Sequence, residues 1–444
     1  MDFLKKHHLA ILRGLYCLLI AGGFLRVILK WSHQRADYGL FQVYHDFYVQ
    51  LQAGKLPWVH FNFEYPPLST PFIYGPCLFF GGLNPFQLFV IKSAWLFICL
   101  IGSLWCVTEI ERLRKLPPVV SALAVAFISV APAAILSTFD TWLLVIVSVA
   151  LYFRVKQKEG ISSNILLVGA FVKLMPAFFW LTEFVQGASA LRTKKLWAFG
   201  VLTVAHIGYA LLNTQGAIWA IKYQFVRPCD AFGTWTLIGL ALSRGNHSLH
   251  AFTAGHGTLE STGTLMEVLS KVASVFTLVA CIATFVYLAR LVRASQASKE
   301  FSGFQIGACM VCVYIFMNKI GQPNYDLWVL TSVAVLLLCT RVKANTMAVF
   351  FGLTVLLHFF TGLQVHYYAN LESQVVPSGY YMAIFGRTAV LGALSVMSAL
   401  TVRKNYGALE LEVISPISKD PLVDIIAEVA DDRVSDPRHQ KRAG

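Results

Sequence analysis

The stretch Tyr44-His45-Asp46-Phe47-Tyr48 places an acid and a histidine in an aromatic-rich polar loop directly after the first long apolar run. A carboxylate there can hang at a membrane surface, facing the aqueous mouth of a cavity between helices. In that position Asp46 is suited to act as a general base on an acceptor hydroxyl. The plainer reading is that Asp46 and Glu64 only solvate an outer loop. Lys173 is the second group with chemical potential. It lies near the middle of an apolar stretch, where a lysine costs about 2.5–3.5 kcal/mol on insertion scales, so it must face a polar cavity or a partner. Snorkelling or a structural pair with an acid would also account for it. Asp140 and Asp326 stand at the outer ends of expected helices, where an acid can cap a helix or contact an acceptor. His247 is a loop histidine within Asn246-His247-Ser248, which is also a glycosylation sequon. Gly-rich phosphate loops, HExxH and nucleophile elbows are absent. Cys309 and Cys312 form a CxxC in the middle of an apolar run with no second pair, so a zinc site is not expected. No metal or cofactor is expected.

These groups must be carried by elements suited to lipid. Of 444 residues, 57% are hydrophobic and 13% charged, with a mean hydropathy of +0.62. A soluble domain carries about 25% charged residues. The net charge of +13 would point to nucleic acid in a soluble chain. Here Lys and Arg cluster in short loops between apolar runs, as the positive-inside rule expects, so no nucleic-acid partner is expected. The basic clusters at Lys5-Lys6, Arg112–Lys115, Arg154–Lys158, Arg192–Lys195, Arg290–Arg293, Arg341–Lys343 and Arg403-Lys404 mark one face, read as cytoplasmic. Between neighbouring clusters the apolar runs supply even numbers of crossings, about twelve segments in all, with both termini on that face. The fold class expected is an all-α polytopic membrane protein. Residues 1–404 form the transmembrane domain and 405–444 a partly disordered cytoplasmic tail.

The same topology places polar stretches 31–70, 135–140, 213–263, 320–326 and 364–381 on the opposite, extracytoplasmic face. The first apolar run, His8 to Leu29, lacks a small-residue cleavage site and carries Arg13 and Arg26, so it reads as a retained helix rather than a signal peptide. Residues 71–83 are too short to span and are broken by Pro71, Gly75 and Pro76, which predicts a re-entrant or interfacial segment. Residues 161–188, with Lys173 and Pro176 at their centre, predict two half-length helices meeting at a polar break.

The ordered set of short motifs resembles the GT-C class of polytopic glycosyltransferases, and within it glycosyltransferase family 87. The matching features are Asp46 in the first outer loop, then Gly54-Lys55-Leu56-Pro57-Trp58, then Tyr65-Pro66-Pro67-Leu68. Further along come Lys173-Leu174-Met175-Pro176 and Asn246-His247-Ser248-Leu249. The chain departs from the family pattern at Thr138-Phe139-Asp140 and at Gln322-Pro323-Asn324-Tyr325-Asp326, which bears on the sugar and acceptor more than on the reaction class. The resemblance implies a GT-C-type bundle of about 10–12 transmembrane helices with an extracytoplasmic catalytic loop. It also implies transfer of a hexose, mannose by the family's habit, from a polyprenyl-phosphate-linked donor to a glycolipid or glycan acceptor, with inversion. Asp46 would be the base, and Lys173 would stabilise the departing phosphate. His45, Glu64, Tyr65, Asp140, Asn246, His247, Asn324 and Asp326 would contact substrate. Membrane lipids are the remaining partners, and the short loops lean toward a bacterial plasma membrane. The rival reading is a multi-span transporter or flippase of a glycan pathway, although the break near Lys173 has no evident counterpart in the second half. A third is a non-catalytic scaffold of such a pathway, in which Asp46 would be freely replaceable.

Overall fold

A computed structural model of the chain describes residues 2–33, 39–130, 140–186, 189–255, 258–295, 297–340, 342–368, 371 and 376–407. Thr138, Phe139 and the tail from 408 onward lie outside the described residues. Over the described residues the long apolar runs fold as helices. In chain order these are α1 (Asp2–His33), α2 (Gly39–Gln52), α3 (Thr70–Tyr74), α4 (Pro85–Leu113), α5 (Val119–Val130), α6 (Thr141–Val155), α7 (Glu159–Val172) and α8 (Leu174–Gln186). They are followed by α9 (Ser189–Leu211), α10 (Thr214–Val226), α11 (Thr234–Ser243), α12 (Thr264–Ala294), α13 (Ser302–Met317), α14 (Asp326–Cys339), α15 (Ala344–Tyr368) and α16 (Ser378–Gly407). Five of them, within α1, α4, α12, α15 and α16, are long and apolar enough to cross a membrane. The chain is therefore built as a multi-pass, predominantly helical protein.

Helix length sorts the bundle into two sets. The five long helices carry many outward-facing apolar side chains, such as Leu18, Phe276, Phe359 and Phe385. The second set, α6, α7, α8, α13 and α14, has 13 to 16 residues each, about 20–24 Å at 1.5 Å per residue. That is shorter than the ~30 Å hydrocarbon core. Their basic-end termini are tied together at one level. There Arg154 pairs with Glu159 at 2.8 Å and Glu183 at 3.6 Å. Gln305 donates to Thr340 Oγ1 at 2.7 Å. At their opposite ends Lys173, Asp140, Asn324 and Trp328 come together.

Two local features explain this arrangement. Pro176 sits in the first turn of α8, where its missing N–H costs nothing, and Lys173 before it is extended (φ −160°, ψ 156°). The last backbone bond of α7 is Lys173 N–H to Gly169 O at 2.9 Å. The chain turns back there, so α7 and α8 form an antiparallel hairpin with Lys173 at its apex. Tight packing completes it: a Cβ on Gly307 of α13 would meet Phe179 Cα at 2.9 Å, and small residues at this spacing let helices approach closely. The segment from Pro67 to Phe79 forms short helical turns, including α3, against α4. It does not span, as its prolines predict. Gly75 is required there: its φ is +45° and a Cβ would lie 2.5 Å from the Trp95 ring.

The stretch 213–263, expected to be a loop, is instead structured. It contains α10, α11 and a three-stranded antiparallel sheet, β1 (Cys229–Asp230), β2 (Ala251–Gly255) and β3 (Thr258–Thr262), in the order β1-β3-β2. α10 continues from α9 after a bend of 111° at Asn213, whose side chain caps the new helix at Gln215 and Gly216 N–H. The sheet is fixed to the bundle by Asp230, which accepts from Gly321 N–H at 2.9 Å, and by Arg387.

Arg387 is 1% exposed. It donates to Asp326 Oδ1 at 2.8 Å, Thr361 Oγ1 at 2.9 Å and Phe232 O at 2.8 Å. Thr361 donates to the other Asp326 oxygen at 2.6 Å. Asp326, expected to contact substrate, is thus committed to a buried pair that ties α14, α15 and α16 to the sheet. Arg387→Met should destabilise the protein by about 3–5 kcal/mol, because it strands a buried carboxylate. Thermal unfolding in detergent would show a large drop for that variant, partly recovered when Asp326→Leu is added.

Candidate functional site

A polar group gathers at the apex of the α7–α8 hairpin. Lys173 Nζ lies 2.6 Å from Asp140 Oδ1 at the start of α6. It also faces the rings of Tyr65, Trp328 and Tyr325 at 5.3, 5.6 and 5.9 Å from their centroids. An ammonium among aromatic faces is attracted by their quadrupoles, and more strongly where water is excluded. Asp140 is 2% exposed. Besides Lys173 it accepts from Trp328 Nε1 at 2.7 Å and from the Asn324 amide. Its side chain makes no helix-cap hydrogen bond. Asp140 is thus the counterion that holds Lys173 and not the helix cap that its position suggests.

A second polar group adjoins the first. Glu64 accepts from the hydroxyls of Tyr65 and Tyr223. Burial, and then the Glu64 carboxylate, hold the Tyr65 phenol well above its ordinary range, so Tyr65 is a neutral donor. Arg227, 6% exposed, follows α10 and lies 3.9 Å from Glu260 of β3. Its charge also acts on Tyr223, Asp230, Tyr325 and Glu64. Lys319, 3% exposed, sits beside it with Nζ 3.4 Å from Ser270 Oγ. The structure therefore brings Glu64, Tyr65, Asp140, Lys173 and Asn324 into one neighbourhood and adds Arg227, Tyr223, Tyr325 and Trp328. Among the described residues, no three His, Cys, Asp or Glu side chains form a metal-binding group.

Beside the hairpin lies an apolar cavity of about 460 Å³. Phe171 and Leu174, the residues flanking the break, are on its wall with Phe178, Phe199, Ile282 and Phe285. Leu174, Phe199 and Ile282 are exposed, so the cavity opens on the outer surface of the bundle. A run of rings links it to the charged apex: Phe178 packs on Tyr314 at 5.4 Å, and Tyr314 stacks on Trp328 at 6.1 Å. An elongated apolar group with an anionic head would match this pairing of an oily groove with an ammonium. No protein-family model and no curated protein matches this chain. The functional reading must therefore come from the site itself.

The remaining expected residues lie elsewhere. Asp46 is on the exposed face of α2, where its carboxylate accepts from Gln42 Nε2 at 2.8 Å. The opposite face of α2, with Tyr44, Phe47 and Tyr48, packs against Phe63, Ile73 and Tyr74. His45 Nε2 is bonded to Leu83 O at 2.8 Å, which fixes α2 to the turn before α4. Asn246 and His247 are exposed in the turn after α11. Asn246 Oδ1 accepts from Ser248 N–H and Oγ at 3.0 and 2.7 Å, a turn-forming role. The Gly54-to-Trp58 segment is a clamped loop in which Pro57 and Val59 carbonyls accept from Tyr209 and Asn213.

His250 gives the sheet unit a pH dependence. It is 5% exposed, and its ring meets Phe252 edge-on at 4.8 Å. Burial, and then neighbouring His247, push its pKa down to about 4, against about 6.5 for an unfolded histidine. The fold favours the neutral ring. That stability is complete above about pH 6.5 and is lost as pH falls toward 4, by up to about 3 kcal/mol. Unfolding curves at pH 7.5 and 4.5 should differ for the wild type and converge for His250→Leu.

Proposed function

We propose that this chain is a GT-C-type membrane glycosyltransferase resembling family 87. It transfers a hexose, mannose by the motif resemblance, from a polyprenyl-phosphate donor to a glycolipid or glycan acceptor. The observation that carries this reading is the Lys173 ammonium at the apex of the α7–α8 hairpin, beside an apolar groove. The isoprenoid chain would lie along Phe171, Leu174, Phe178 and Phe285, bringing the phosphate to Lys173. Tyr65, Tyr223 and Glu64 would hydrogen-bond sugar hydroxyls.

In the reaction that the motif resemblance implies, the acceptor hydroxyl gives its proton to the Asp46 carboxylate, carried on the exposed face of α2, as its oxygen attacks the anomeric carbon. The bond from that carbon to the phosphate oxygen breaks on the opposite side, and the electron pair leaves with polyprenyl phosphate. Attack from the face opposite the leaving group inverts the anomeric centre. Asp46 is exposed and, among the described residues, its carboxylate accepts from the neutral amide of Gln42, a setting that suits a general base. Lys173 meets the charge that grows on the leaving oxygen, and Asp140 keeps it aimed. The setting is the extracytoplasmic face of a membrane, read as a bacterial plasma membrane.

The test is sugar transfer in proteoliposomes containing the full chain, with radiolabelled polyprenyl-phosphate-mannose and a membrane glycolipid extract. Labelled glycolipid is the expected product. If no polyprenyl-phosphate sugar serves as a donor and labelled lipid instead crosses the bilayer, the protein is a flippase.

A further inference from the structure

Lys92, in α4, is 2% exposed. Among the described residues its Nζ has no hydrogen-bond partner and belongs to no ion pair. It rests on the face of Tyr44, 3.5 Å from the ring centroid. The inner face of α2 also packs on Phe61 and Phe63 through Phe47, and three of its hydrogen bonds run to the segment between Tyr74 and Leu83. Tyr74 donates to Tyr44 O at 3.1 Å, the Tyr48 hydroxyl donates to Phe80 O, and His45 bonds Leu83 O. Lys92 is thus the charged link from α2 to a membrane-crossing helix. Removing an ammonium from water without a carboxylate partner is costly, and one ring face repays only part of that cost. A lysine of this kind weakens the fold as a whole, whereas a leucine would not.

We propose that Lys92 is a positioning residue: its cation–π contact with Tyr44 clamps α2 to the bundle and so sets where Asp46, two residues further on, stands. The assignment rests on the glycosyl-transfer reading for its catalytic consequence, but not for the clamp itself. The ring face of Tyr44 is the partner, so Tyr44→Phe preserves the clamp and Tyr44→Leu removes it. Arginine at 92 keeps a cation over the ring.

Hydrogen exchange of residues 39–52, measured by mass spectrometry on the full chain in nanodiscs, tests the clamp without any substrate. Lys92→Leu and Tyr44→Leu should each speed exchange of α2 about tenfold, the double variant no further, and Lys92→Arg and Tyr44→Phe less than about threefold. The thermal midpoint of Lys92→Leu should equal or exceed that of the wild type. In the transfer assay, Lys92→Leu should lower kcat about tenfold with donor KM within about threefold, and Lys92→Arg should restore most of it. Unchanged exchange in Lys92→Leu, or faster exchange throughout the chain, overturns the clamp. Faster exchange of α2 with an unaltered kcat overturns the positioning role. If the wild type transfers no sugar yet α2 still loosens, the clamp stands and the glycosyl-transfer reading alone fails.

Discussion

Lys173→Met is expected to reduce turnover about 10³-fold while leaving donor KM nearly unchanged, which is what loss of a preorganised group facing developing charge does. The ammonium is already held by Asp140 and framed by three rings, so in the proposed reaction little reorganisation would accompany the departure of the phosphate. Ground-state donor binding would come mainly from the apolar groove, which this substitution does not touch. Asp140→Asn should show a related loss for a different reason. It leaves Lys173 without its counterion among the rings, where the ammonium can swing away from its aim. Steady-state kinetics of both variants, with Lys173→Arg for comparison, separate charge from geometry. If Lys173→Met raises KM and spares kcat, the lysine binds the donor rather than stabilising its departure.

Asp46→Asn should reduce turnover by about 10²–10⁴-fold, the span attributed to a positioned base. The amide has the carboxylate's shape and can still accept from Gln42, so α2 should keep its place and the variant should insert normally. What it cannot do is take the acceptor's proton. Glu64→Gln makes the informative contrast. Glu64 is engaged by two tyrosine hydroxyls, and its amide would disturb the sugar-facing group, so the expected change is mainly in KM. Activity retained by Asp46→Asn and abolished by Glu64→Gln would transfer the base to Glu64.

Much of the helical layout is legible in the sequence, because apolar length and basic loops are long-range signals that need no knowledge of contacts. The break at Lys173 is legible for a local reason: Pro176 has no N–H to bond the Val172 carbonyl, which interrupts a helix running through that point. That Lys173 needs a polar partner also follows from its apolar surroundings, but not that the partner is Asp140, thirty-three positions away. Asp140 and Asp326 look alike in the sequence, as acids at outer helix ends. Only the packing of α15 and α16 reveals that Asp326 pairs with Arg387, while Asp140 pairs with Lys173. The sheet in 213–263 escapes because its strands are two to five residues long with little alternation. Arg227, Lys319 and Lys92 were missed although the sequence holds a clue to them. Each is a cation within or next to apolar residues, the same signal that singles out Lys173.

The unequal helix lengths bear on how this protein meets a bilayer. A helix too short for the hydrocarbon thickness forces lipid to thin around it or pays in hydrophobic mismatch. Here α14 is buried along its whole length and α13 along nearly all of it, so most of the deficit is hidden behind full-length neighbours and lipid never senses it. The α7–α8 hairpin differs, since Leu174 and Leu181 are exposed. The annulus of lipid should therefore be pinched at that one flank, beside the groove. A long isoprenoid, more deformable than a packed bilayer, is the kind of molecule that such a dimple would gather.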